Sequence, residues 1–113
     1  LRRQSDGVRV IAKAKVAGVA LLSDFFHMHI EETNTPKTFE RVGKYISHIH
    51  LADNTRLEPG TGDIDFVSAF RALRKVAFRG YMAYECGISG SDEKQQRTNL
   101  AKSIEYLRDC WKA

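Results

Sequence analysis

Three short apolar runs punctuate this chain, and the segments between them repeat their apolar residues at helical spacing. The runs are VALLSDFF (Val19 to Phe26), YISHIHL (Tyr45 to Leu51) and YMAYECG (Tyr81 to Gly87). The first is apolar without interruption up to its polar end, the pattern of a strand buried on both faces, as parallel sheets require. Ahead of it, residues 4–17 read as a helix with Val8, Ile11, Ala12 and Val16 inward and Gly18 as its stop signal. A second helix is expected from Pro36, capped by Thr35 and carried on by Phe39, Val42 and Gly43. A third opens near Asp63 or Asp65, with Phe66, Phe70, Leu73 and Ala77 on one face. Ser91, Asp92 and Glu93 start a last helix whose inward stripe is Leu100, Ile104, Leu107 and Trp111. The order α-β-α-β-α-β-α predicts one α/β domain over residues 1–113, with parallel strands joined by right-handed crossovers.

Charge narrows the partners. The 18 basic and 14 acidic residues leave a net charge of +4, spread along the chain as on solvated helix faces, so a nucleic-acid footprint is not expected. No apolar run has the length to cross a bilayer, and no membrane partner is expected. The two cysteines, Cys86 and Cys110, lack metal-type or CxxC spacing and are expected to be reduced, which fits a cytoplasmic protein. A first residue other than Met suggests a processed piece or a fragment.

Chemistry in parallel α/β folds gathers at the carboxyl ends of the strands. The first run ends in Asp24 with His27 just beyond, the second in His48 and His50, the third in Glu85. Aspartate, histidine and glutamate form a mixed oxygen and nitrogen donor set that suits Mn²⁺, Mg²⁺, Co²⁺ or Zn²⁺. Adjacent strands lie roughly 5 Å apart, so one divalent ion could be shared. Bland readings compete: Asp24 serves equally well as a helix cap. His48 is expected on the sheet face opposite His50, packed rather than ligating. Glu85 closes an apolar strand, where a charge is costly unless paired or ligated. His29, Glu31 and Glu32 read as solvated loop or helix-start residues, and Arg56 as either a surface arginine or a specificity residue in a loop over the site. The run PGTGD lacks the lysine of a phosphate-binding loop, and its glycines are expected to shape a tight turn.

These residues also carry a family likeness. DFFHMHIEE resembles the D-x-F-H-M-x-I-E-E segment of D-tagatose and D-psicose 3-epimerases, and HIHLADNTRLEPGTGDIDF resembles the following segment of those enzymes and of hydroxypyruvate isomerases. Both belong to the xylose isomerase-like TIM barrels, and the match runs in register from about Val19 to Glu85. The resemblance implies the C-terminal portion of a (β/α)8 barrel, about three parallel strands and four helices. It implies Asp24, His50 and Glu85 as ligands of a divalent metal, with His27 and Arg56 binding substrate. Glu85 would also exchange a proton with the carbon of a ketose, through an enediolate, in an isomerase or epimerase of small-molecule sugars. The family's other catalytic glutamate falls on a strand ahead of this chain's first helix. Three strands cannot close a barrel, so a truncated chain, or a homo-oligomer that buries the open surfaces, is expected. Two alternatives are an endonuclease IV-like phosphodiesterase and a non-catalytic barrel remnant. The first needs further ligands in the turn after the second strand, where only Asp53 is offered.

Overall fold

The computed structural model describes residues 1–113. Three parallel strands, β1 (Leu21–Asp24), β2 (Ile46–Leu51) and β3 (Tyr81–Tyr84), lie side by side in that order. Five α-helices accompany them: α1 (Gln4–Ala14), α2 (Phe25–Glu31), α3 (Thr35–Val42), α4 (Phe66–Lys75) and α5 (Glu93–Lys112). The alternation read from the sequence is therefore present, with one more helix than expected.

That extra helix is α2. The expected strand Val19 to Phe26 shrinks to Leu21–Asp24 because the Asp24 side chain accepts the His27 backbone N–H at 3.0 Å. An aspartate at the N-cap satisfies a donor that the first helical turn leaves unpaired. Phe25, the first residue of α2, then drops into the core against Phe66 (4.8 Å between ring centroids), Phe39 (5.5 Å) and Phe70 (6.0 Å). Burying one such ring contributes about 1.5–3 kcal/mol, so the cap and the core reinforce each other.

Strand register divides the sheet into two unequal faces. Ile49 and Leu51 are buried beneath the helices, with Leu21, Met82 and Tyr84 packed beside them. Leu22 pairs with His48, and His48 with Tyr81, on the opposite face. There Leu22 is 48% and Tyr81 83% exposed. The sheet thus carries helices on one side only, in contrast to the burial on both faces expected for the first strand.

Other expectations shift for local reasons. Helix α1 stops at Ala14, where Lys15 turns left-handed at φ 51°, and Ala12 and Val16 remain exposed. Asn34, not Thr35, caps α3 by accepting the Lys37 N–H, with Pro36 in the first turn as expected. The chain then tightens into a 3-10 turn over Gly43–Tyr45, so β2 begins at Ile46. A Cβ on Gly43 would lie 2.5 Å from a Val76 methyl, which is why α3 and the end of α4 meet at a glycine. Asp65 caps α4 as expected, whereas Ala77 lies past its end at φ 56° and is exposed. Asp92 caps α5, which buries Ser103, Leu107 and Cys110.

The long turn after β2 is held by two buried carboxylates. Asp53 accepts backbone N–H groups from Asn54 (2.9 Å), Gly60 (2.8 Å) and Ile64 (3.2 Å). Gly62 passes so close that a Cβ there would sit 2.5 Å from an Asp53 oxygen. Glu58 accepts the Ser89 N–H at 2.8 Å and the Ser89 hydroxyl, tying this turn to the one after β3. Pro59 O accepts the Ser103 hydroxyl at 2.6 Å, which fastens the same turn to α5.

Burial alone would raise the Glu58 pKa, but the Ser89 hydrogen bonds outweigh it and hold the carboxyl below its usual 4.5. A depressed carboxylate stabilises the fold above its unfolded pKa and loses that contribution as pH falls through the folded value. Glu58→Gln is therefore expected to cost about 1–3 kcal/mol near neutrality and to flatten the loss of stability below pH 4.5. Urea unfolding across that range measures both; an unchanged acid limb would remove Glu58 from it. For the α2 cap, Asp24→Ala is expected to cost about 0.5–2 kcal/mol, while Asp24→Asn, which keeps an accepting oxygen, stays within roughly 0.5 kcal/mol of the parent. Equal losses in metal-free unfolding would show that the cap contributes nothing.

Candidate metal centre

Period-two geometry and parallel register bring the strand ends together. Asp24 lies beside His50 across β1 and β2, and His50 beside Ala83 across β2 and β3. Glu85 follows Ala83 by two residues on the same face, and its N–H donates to Leu51 O at 3.0 Å, extending the ladder one step past β3. The result is a cluster in which ligand atoms of Asp24, His50 and Glu85 all lie within 4.8 Å of one another. His50 Nδ1 is 3.6 Å from an Asp24 oxygen and 4.0 Å from a Glu85 oxygen.

Asp24 both caps and faces the cluster. Its Oδ1 holds the His27 N–H, and its Oδ2 is the atom turned to His50. The two readings of this residue are therefore compatible. Burial increases from one strand end to the next: the Glu85 side chain is 52% exposed, His50 26% and Asp24 11%. Glu85 thus incurs no large desolvation cost, contrary to the expectation that its charge would demand a partner. His48 is likewise corrected. Residues two apart on a strand share a face, and the His48 ring sits 5.3 Å from that of His50, nearly perpendicular to it.

His27 and Arg56 meet at a residue the sequence reading passed over. His27 is exposed and its ring lies 5.3 Å from that of Phe26, while the Arg56 guanidinium stands over the Phe26 ring at 4.6 Å. The available signal was the paired Phe25-Phe26 at a strand end, where one ring suffices for the core. Glu32 was also missed: it accepts the Gln4 N–H at 2.8 Å and the Thr38 hydroxyl at 3.2 Å, pinning α1 to α3. His29 is exposed, as expected.

Cys86, next to Glu85, is free. Burial, then the negative charges of Glu58, Glu85 and Asp24, push its thiol pKa up, so it stays protonated beside the cluster. Cys110 is also free. Asp53, the one acid the long turn offered as an extra ligand, is consumed by its three backbone donors. No helix is long and apolar enough to cross a membrane.

Known proteins share this fold. The chain is 35% identical over 106 residues to the 3-dehydro-D-guloside 4-epimerase of Escherichia coli (strain K12), a match covering 94% of this chain and 39% of that protein. It is 36% identical over 96 residues to the D-psicose 3-epimerase of Enterocloster bolteae, covering 80% of this chain and 32% of that one. Among solved structures, 3-keto-D-glucoside 4-epimerase from E. coli superposes with a TM-score of 0.90 at 33% identity, over 97% of this chain and 41% of that one. D-psicose 3-epimerase from Clostridium cellulolyticum H10, solved with D-tagatose, gives 0.92 at 23% identity over 98% and 44%. An AP endonuclease of family 2 from Brucella melitensis shares the fold, with a TM-score of 0.81. The chain spans less than half the length of each, and its three strands form part of a barrel. The profile described as xylose isomerase-like TIM barrel matches residues 1–110, and the chain belongs to that family.

Proposed function

We propose that this chain supplies the C-terminal part of the active site of a metal-dependent keto-sugar epimerase or isomerase. One observation carries the reading: an aspartate, a histidine and a glutamate at the tips of three different strands converge within 4.8 Å. Bonds of about 2.0–2.2 Å place two ligands of one ion no more than about 4.4 Å apart. The His50 distances of 3.6 and 4.0 Å already fall inside that limit. Two carboxylates and an imidazole fit Mn²⁺, Mg²⁺, Co²⁺ or Zn²⁺. When bound, such an ion would stabilise the negative charge that develops on a ketose oxygen as a proton leaves the neighbouring carbon.

The remaining work falls to the chain's own side chains. Asp24, fixed by the His27 N–H, and His50 would hold their positions, while the exposed Glu85 carboxylate takes or returns the carbon-bound proton. His27 and Arg56, both against Phe26, would bind sugar hydroxyls. A ketose or a keto-sugar glycoside is the substrate class, as in the names of the relatives. The second acid/base group would come from outside these residues, and the open face bearing Leu22 and Tyr81 would be covered by further strands or a second copy. The phosphodiesterase alternative loses its additional ligand, because the Asp53 oxygens are already occupied.

Calorimetric titration with Mn²⁺ is expected to show one ion per chain, with Asp24→Ala, His50→Ala and Glu85→Gln each weakening it about tenfold or more. In the longest natural polypeptide containing these residues, Glu85→Gln is expected to lower kcat on D-fructose or D-tagatose by about 10²–10⁴-fold. Activity indifferent to that substitution would remove Glu85 from proton transfer.

A further inference from the structure

Phe25 and Phe26 are neighbours with opposite surroundings. Phe25 is 1% exposed at the centre of the aromatic core. Phe26 is half-buried, lies outside the core cluster, and stands on the first turn of α2 two residues past Asp24. Core packing gives no reason for a large ring at the polar tip of the sheet.

Its neighbours do. The Arg56 guanidinium carbon lies 4.6 Å from the ring centroid, over the face, and the His27 ring lies 5.3 Å away at 80°. Arg56 has a firmly held backbone: its N–H donates to Asp53 O at 3.0 Å, and its carbonyl accepts the Gly87 N–H at 3.2 Å. Its side chain has no comparable hold. The ion pairs of the chain's arginines and lysines are Arg9–Asp6, Lys75–Glu40 and Arg97–Glu93, and Arg56 enters none of them. The Phe26 face is therefore the guanidinium's partner where ion pairs and side-chain hydrogen bonds supply none.

A guanidinium lying on a ring keeps its N–H groups in its own plane, pointing outward and open to oxygen acceptors. An unsupported arginine must instead be ordered each time ligand binds, which weakens binding. We infer that Phe26 is a positioning residue, whose ring holds the Arg56 guanidinium ready for a sugar oxygen beside His27 and the carboxylate cluster. The inference rests on the reading of Arg56 as a substrate contact. It adds a specificity element made of an aromatic ring rather than a polar group.

Phe26→Leu keeps apolar bulk and removes the π face. In the longest natural polypeptide containing these residues, with Mn²⁺, it is expected to raise KM about two- to fivefold with kcat changed less than about twofold. Phe26→Tyr or Phe26→Trp is expected to restore KM. Arg56→Ala is expected to raise KM, and Phe26→Leu to add nothing on top of it. The stack is read without activity from the ring-current shift of the Arg56 Nε–H, present in the parent and lost in Phe26→Leu. A KM increase from Phe26→Leu that persists in the Arg56→Ala background overturns the inference, as does an Arg56 Nε–H shift unaffected by removal of the ring. Arg56→Ala with unchanged KM would instead overturn the assignment of Arg56 to substrate. Arg56→Ala raising KM while Phe26→Leu leaves it at the parent value would overturn the role of Phe26 alone.

Discussion

Asp24 divides its two carboxylate oxygens between the fold and the site. One accepts the His27 N–H, which ends β1 and starts α2 within a single residue step. That abrupt change of direction sends Phe25 inward to Phe39, Phe66 and Phe70, and leaves Phe26 and His27 at the strand tip. The other oxygen is aimed at His50, 3.6 Å away. A rotation of this carboxylate would disturb the helix start and the cluster together, so each constrains the other. A carboxylate oriented by a backbone donor in this way is the kind of preorganisation on which metal sites rely.

The neighbouring turns are built on the same principle with different acids. Asp53 gathers the backbone of the turn after β2 around its two oxygens, and Glu58 links that turn to Ser89. Gly87 donates to Arg56 across the same gap. The loops that would face a substrate are therefore fastened to one another as well as to the sheet. Most of these ties are charge-assisted hydrogen bonds rather than regular structure.

The fold class and the polar residues at the strand tips were legible because they depend on local patterns. Helical spacing around Phe66, Phe70 and Leu73 and the polar endings Asp24, His50 and Glu85 both survive in the structure. The start of α2 was hidden because Phe25 and Phe26 prolong an apolar run, and a cap reveals itself only when a donor arrives. The face of His48 was available from period-two geometry, and the expectation placed it on the wrong side. Glu32 reads as a solvated acid and Asp53 as a spare ligand, and nothing in the sequence marks Glu58. Their partners, such as Gln4 for Glu32 and Ser89 for Glu58, are distant in sequence, and no local pattern announces them.

Arg56 occupies the left-handed region at φ 60°. For a residue with a side chain this conformation costs roughly 1–2 kcal/mol, while glycine adopts it freely. A glycine at this loop tip would give a sturdier turn with nothing to offer a ligand. The chain therefore carries a local sacrifice of stability at the residue whose guanidinium stands over the Phe26 ring.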